Sequence, residues 1–155
     1  MNDTASILET AAPAPRISVV IPTYERAERV ARLVALLDQQ TLAPDAFEVI
    51  VVDDGSKVDP RSRLEAIRCR FHKVLERQTN QGAAAARHRG IELARAPIVL
   101  CLDDDMIPSP RLLEEHLAVH ATTPRAVVVG CVRSGQAVRD LPLFERFHAH
   151  SLDKM

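Results

Sequence analysis

Apolar residues follow two rhythms along this chain. From Ile17, short continuous runs rich in β-branched residues, ISVVI (17–21) and FEVIVV (47–52), alternate with longer stretches such as AERVARLVALLDQQ (27–40), where apolar positions recur every three to four residues. The continuous runs suit strands buried on both faces, and the slower period suits amphipathic helices covering them. The alternation goes on: a helix over PRSRLEAIRCRF (60–71), a short strand at HKVLERQ (72–78), a helix over AAAARHRGIELA (83–94) and the strand APIVLCL (96–102). A helix over PRLLEEHLAVHA (110–121) and a strand at AVVVGCV (126–132) complete the series. Strand and helix in strict turn predict an α/β fold of three layers, Rossmann-like, with a mostly parallel central sheet. The first fifteen residues read as a disordered tail, residues 16–132 as one domain, and residues 133–155 as a terminal segment without a clear pattern.

Such a sheet also predicts where chemistry sits. Ligands of open parallel sheets lie beyond the carboxyl ends of the strands, near the point where strand order reverses. The strand exits here read Pro22-Thr23-Tyr24-Glu25, Asp53-Asp54-Gly55-Ser56, Asn80-Gln81-Gly82 and Asp103-Asp104-Asp105. Ser56 and Asn80, taken singly, read as turn or helix-capping residues, and Pro22 and Gly55 as strand terminators. A solvated turn accounts well for one aspartate of the triplet and poorly for three, since adjacent carboxylates repel. A hard divalent cation, Mg2+ or Mn2+, bound through one or two carboxylates with places left for substrate phosphate oxygens, accounts better for the group.

Composition narrows the choices. The 155 residues (17.1 kDa) carry 20 basic and 21 acidic side chains, a formal charge of -1, and no dense basic cluster interleaved with aromatics. A nucleic-acid polymer is therefore not expected as a partner. Cys69, Cys101 and Cys131 are an odd number at wide spacing, read as reduced, buried small hydrophobes of a cytoplasmic protein. The first residues lack the basic start and apolar core of a signal peptide, and no apolar run approaches the ~20 residues needed to span a bilayer. The chain is not expected to be transmembrane; peripheral contact with a membrane stays open.

Other residues attract attention and offer less. Gly82 followed by Ala83 to Ala86 lacks the Gly-Lys-Ser/Thr of a phosphate loop and reads as close helix-to-sheet packing. His116 and His120 share a helix face, which reads as surface because no HExxH pattern accompanies them. Arg87 and Arg89 are candidate positive charges near the site, although each reads first as part of a solvated helix face.

The motifs ISVVIPTYER, VIVVDDGS, NQGAAAARHRGIELA and VLCLDDDMIPSP, in this order and spacing, resemble the family 2 glycosyltransferases, which have the GT-A fold. The resemblance covers about Ile17 to Val132. It implies transfer of a sugar, with inversion, from a nucleotide-diphosphate sugar, a UDP-sugar being favoured, to a saccharide, lipid or other hydroxyl acceptor. It further implies a nucleotide-sugar site of Pro22, Thr23, Tyr24, Glu25, Asp53, Asp54, Asp103 and Asp104, and a metal site of Asp105 with Asp103. Within it, Tyr24 would stack on the base, Asp54 would accept from a base N–H and Asp53 would hold the loop. Asp103 would approach the ribose, and Asp104 would be shared or structural.

An inverting transferase needs a general base, which this family supplies well beyond the metal-binding aspartates. After Asp105 the sequence has single acids, Asp140 and Glu145, and no acidic pair of that kind. The acceptor-binding half is therefore expected to be shortened or missing, and no catalytic base is assigned. Two other readings stand beside the transferase. A non-catalytic nucleotide-sugar-binding or interaction module would keep the pocket alone, and a phosphoacceptor receiver would need a later strand-end lysine that the sequence does not supply.

Overall fold

A computed structural model describes residues 14–132. Its sheet is built from β1 (Ile17–Thr23), β2 (Phe47–Asp53), β3 (His72–Arg77) and β4 (Ile98–Cys101), all parallel, in the order β3-β2-β1-β4. Every residue of β1 and β2 is buried. Those two strands are central and covered on both faces, which is why their sequences are mostly apolar rather than alternating.

Successive side chains of a strand point to opposite faces. Val19, Ile21, Val49 and Val51 therefore join one cluster with Val30, Leu33, Val34 and Leu37 of α1 (Ala27–Leu37) and Leu64 of α2 (Arg61–Ala66). Val20, Ile50 and Val52 face the other way and pack on Ala86 of α3 (Ala83–Leu93). Helices on both faces of a parallel sheet give the three layers that the hydrophobic pattern predicts. Leu113 and Leu117 of α4 (Leu112–Thr122) belong to the α1 side of the core.

The small residues of α3 have a measurable purpose. A Cβ placed on Gly90 would stand 2.3 Å from Val20 Cγ1, so the helix reaches the sheet only because that position lacks one. Gly82 is different: nothing lies within 4 Å of its would-be Cβ, and its φ of +92° is what a side chain would disfavour.

The described residues fall into two units, 14–117 and 118–132. In the second, the described residues are the end of α4, a turn in which Arg125 takes a left-handed φ of 57°, and a segment without regular secondary structure. The strand expected at AVVVGCV does not form: no ladder pairs it among the described residues, and Val127 and Val129 are 94% and 83% exposed. An apolar run becomes a strand only where another edge satisfies its backbone groups.

Two helices end earlier than their periodicity suggests. The first stops at Leu37, so residues 38–39 form a turn, and just after it the buried Gln40 donates to Ser109 O (2.7 Å) and accepts from Leu113 N–H (3.1 Å). The second stops at Ala66, where the Lys73 ammonium takes the carbonyls of Leu64 and Ile67 and satisfies acceptors that another turn would have used. The cysteines also differ from expectation. All three thiols are free, but Cys101 and Cys131 are exposed, Cys101 because β4 is an edge strand covered less fully than the centre.

Candidate functional site

The chain runs from β1 to β2 to β3 on one side of the sheet, then returns to place β4 on the other side of β1. The reversal therefore falls between β1 and β4, and the loops leaving these two strands diverge to leave a crevice. A pocket of about 500 Å³ opens there, within the range typical of small-molecule sites. Its lining includes Pro22, Thr23 and Tyr24 after β1, Asp54 after β2, Asn80 and Gly82 before α3, and all three aspartates after β4. Glu25 and Asp53 do not line it.

The three aspartates divide into two kinds. Asp104 is 4% exposed and has both oxygens engaged: Thr23 Oγ1 donates to Oδ2 (2.8 Å) and Arg26 Nη1 to Oδ1 (3.1 Å). It clips the exit of β4 to the exit of β1. Asp103 and Asp105 point outward, their side chains 51% and 44% exposed. Asp103 is paired with the Arg87 guanidinium, while Asp105 lies 3.7 Å from both Arg26 Nη1 and Arg29 Nη1. Three arginines and one hydroxyl thus offset the repulsion within the triplet.

Asp54 is buried and bound from three directions. Gln78 Nε2 (2.7 Å) and Gln81 N–H (2.9 Å) donate to Oδ1, and Gly82 N–H (2.8 Å) donates to Oδ2. Burial pushes this carboxyl up, but the bonds from Gln81, Gln78 and Gly82 together outweigh it and hold the pKa below the ordinary aspartate value. The carboxylate therefore occupies the N-terminus of α3, where the helix dipole and free N–H groups favour an anion. This is the physical reason the glycine there is no phosphate cradle: its N–H is already taken. Of roughly four lone-pair positions on a carboxylate, three are filled, which leaves Asp54 capacity to accept one more donor from the pocket.

Asp53 turns into the loop instead. It receives Ser56 N–H at 3.3 Å on each oxygen and the Ser56 hydroxyl, and it pairs with Arg77 Nε at 3.3 Å. Glu25 reaches across to accept Lys57 N–H (2.8 Å). Tyr24, between these loops and the pocket, has 45% of its surface exposed.

The sequence profile described as "Glycosyl transferase family 2" matches residues 18–148. The chain belongs to that family. It is 39% identical over 120 residues to the validoxylamine A glucosyltransferase of Streptomyces hygroscopicus subsp. limoneus, covering 76% of this chain and 26% of that protein. To the chondroitin synthase of Escherichia coli it is 35% identical over 120 residues, covering 74% and 17%. The mannosyltransferase of Pyrobaculum calidifontis, solved in complex with GDP-Man and Mn2+, superposes with a TM-score of 0.70 at 27% identity, covering 83% of this chain and 37% of that one. The α/β architecture is thus the GT-A fold of a family of sugar-transferring enzymes, and the receiver alternative is set aside. The matched part of this chain spans between a sixth and two fifths of these proteins' lengths.

Among the described residues, no three His, Cys, Asp or Glu side chains form a group able to enclose an ion. Mg2+ and Mn2+ do not require one, because they are commonly held by one or two carboxylates together with water and substrate phosphates. Asp103 and Asp105 are the two outward carboxylates of the pocket, and that donor set fits such an ion.

Sequence reasoning missed Arg26 and Arg29. Arg26 was visible in the run PTYER, but nothing in a linear pattern shows that the start of α1 faces the exit of β4. Arg87 lines the pocket rather than a solvated helix face, whereas Arg89 turns away to Glu76 (2.8 Å) and Glu92 (3.2 Å). His116 is buried in α4, and the described residues around the two histidines form no metal-binding group. Asp140 and Glu145 lie outside the described residues. No helix among the described residues is long and apolar enough to cross a membrane.

Proposed function

We propose that residues 16–132 form a domain that binds a nucleotide-diphosphate sugar through a divalent cation and presents the sugar for inverting transfer to a hydroxyl group of a saccharide, lipid or other acceptor. The observation that carries this reading is the convergence in one pocket, at the switch point of the sheet, of an exposed aromatic face, two outward carboxylates and two guanidinium groups. Each answers a part of such a donor. Tyr24 offers a stacking face to the base and Asp54 an acceptor for a base N–H. Asp103 is placed for the ribose hydroxyls as well as the ion, and Arg26 and Arg87 bring positive charge to the diphosphate.

A diphosphate gains little from a carboxylate cluster until a cation joins them, so Asp103 and Asp105 act as cation ligands before they act as donor ligands. Mg2+ or Mn2+ held there would stabilise the charge that develops on the departing diphosphate. Uridine is the base favoured by the resemblance in sequence. The Pyrobaculum enzyme's GDP-Man makes guanosine the alternative to test beside it. Three free thiols fit a reducing, cytoplasmic setting.

The test uses the purified chain, Mn2+, and UDP- and GDP-sugars radiolabelled in the sugar. Release of free sugar that stops on adding chelator supports a donor site that activates its leaving group. Absence of release, together with absence of nucleotide binding, would refute it.

A further inference from the structure

Glu25 adopts a left-handed backbone, with φ of 56°. For a residue with a side chain this conformation is uncommon, and it persists where surrounding structure over-determines it. The restraint is visible. Glu25 N–H donates to Ser56 Oγ (2.8 Å), and the Glu25 carboxylate accepts Lys57 N–H (2.8 Å), so the loop after β1 and the loop after β2 each hold the other.

The serine is itself oriented. Its hydroxyl hydrogen is committed to Asp53 Oδ1, which leaves an oxygen lone pair for the Glu25 N–H. Asp53 is 3% exposed and is paired with Arg77, which also reaches Asp59 at 3.0 Å. A continuous relay thus runs from Arg77 on β3, through Asp53 and Ser56, to the backbone of the residue directly after Tyr24. None of Glu25, Ser56 and Asp53 lines the pocket, whereas Tyr24 does.

We propose that Ser56 and Glu25 are positioning residues that fix the Tyr24 ring in its base-facing pose before the nucleotide arrives. This rests on the nucleotide-site reading of the same pocket. An aromatic side chain with 45% of its surface exposed, on a loop, would otherwise have to be ordered on binding, and that cost would reduce affinity. Arg26, on the other side of Glu25, has its own anchor in Asp104 (3.1 Å), so the clamp acts through Tyr24, strengthens base binding and leaves diphosphate binding alone.

Tyr24 is the only tyrosine of a chain without tryptophan, so its fluorescence reports this position alone. The experiment compares the wild-type chain with Ser56→Ala, Glu25→Ala and Glu25→Gln. Acrylamide quenching and anisotropy of Tyr24 are measured without ligand, and UDP and pyrophosphate are titrated calorimetrically with Mn2+ present. Ser56→Ala and Glu25→Ala are expected to raise quenching, lower anisotropy and weaken UDP about two- to tenfold, the loss of one hydrogen bond's worth, with pyrophosphate unchanged. Glu25→Gln keeps an acceptor oxygen and is expected to behave as wild type. Glu25 is exposed, so its variants keep the test open should Ser56→Ala fail to fold. Unaltered Tyr24 quenching in Glu25→Ala, or equal losses for UDP and pyrophosphate, would overturn the proposal. A wild-type chain that binds neither UDP nor GDP would count against the nucleotide reading, and the ligand-free fluorescence would still decide the clamp; should it bind GDP alone, GDP takes the place of UDP in the titrations.

Discussion

Thr23 and Asp104, 81 positions apart in the chain, share a 2.8 Å hydrogen bond that joins the exit of β1 to the exit of β4. The middle aspartate of the triplet is therefore a structural clip whose oxygens face inward, while its two neighbours keep theirs in the pocket. Asp104→Ala is expected to cost about 1–3 kcal/mol of stability, because it leaves the buried Thr23 hydroxyl without its acceptor. Asp105→Ala is expected to leave stability unchanged or slightly raised, since one of three like charges is gone, and to abolish metal-dependent nucleotide binding. Urea unfolding of both variants checks the contrast.

The arginines beside Asp105 compete with any metal ion. Among the described residues the Arg29 guanidinium pairs with Asp105 alone, so Arg29→Gln is expected to tighten Mn2+ binding in the absence of nucleotide by about 1.5- to 5-fold, the range of an exposed ion pair. Arg32→Gln removes the same charge one helical turn along, where no ion pair forms among the described residues, and is expected to change Mn2+ affinity less. Calorimetry with the metal alone distinguishes the two.

Glu48 is fully buried at the other end of the sheet. It accepts from Ser18 Oγ (2.7 Å), Arg95 N–H (2.8 Å) and Arg95 Nε (2.8 Å). Burial pushes its carboxyl up, but the Arg95 N–H, the Ser18 hydroxyl and the Arg95 guanidinium outweigh this and hold the pKa below the ordinary glutamate value. The folded state then binds this proton less readily than the unfolded state. The resulting stability is complete above the unfolded pKa of about 4.3 and is lost as pH falls through the lower folded value. Thermal unfolding between pH 7 and pH 3 is expected to show a steeper acid loss in the wild type than in Glu48→Gln, which has no proton to gain. Equal slopes would contradict the assignment.

Close packing of α3 on β1 gives a fourth outcome. Gly90→Ala drives a methyl into Val20 and is expected to cost about 1–3 kcal/mol, whereas Ala84→Gly, on the exposed first turn of the same helix, is expected to cost about 0.5–1 kcal/mol from backbone entropy alone. Denaturant midpoints report both.

The layers were legible in the sequence because β1 and β2 are buried on both faces and so show no polar alternation. The strand exits were legible too, since a parallel sheet leaves few places for clustered carboxylates. Residue spacing alone did not show which carboxylates face inward; the division of roles between Asp53 and Asp54 came from the family resemblance. Asp53 and Asp54 are adjacent and chemically identical, yet one is turned into its own loop by Ser56 and Arg77 and the other across to the N-terminus of α3. Those partners lie between 3 and 28 positions away, and which of them stands beside each carboxylate is set by the folded loops rather than by spacing. The segment 126–132 shows the converse: its composition is that of a strand, but a strand also needs a neighbouring edge.

The central claim is that a nucleoside diphosphate is held in the β1/β4 crevice through a divalent cation. Calorimetric titration of the purified chain with UDP and with GDP, in Mn2+ and again in excess chelator, tests it most directly. The expected result is saturable binding of one of the two in Mn2+, with no measurable heat in chelator and none in Asp105→Ala under either condition. Binding of equal affinity in chelator, or in Asp105→Ala, would contradict the claim.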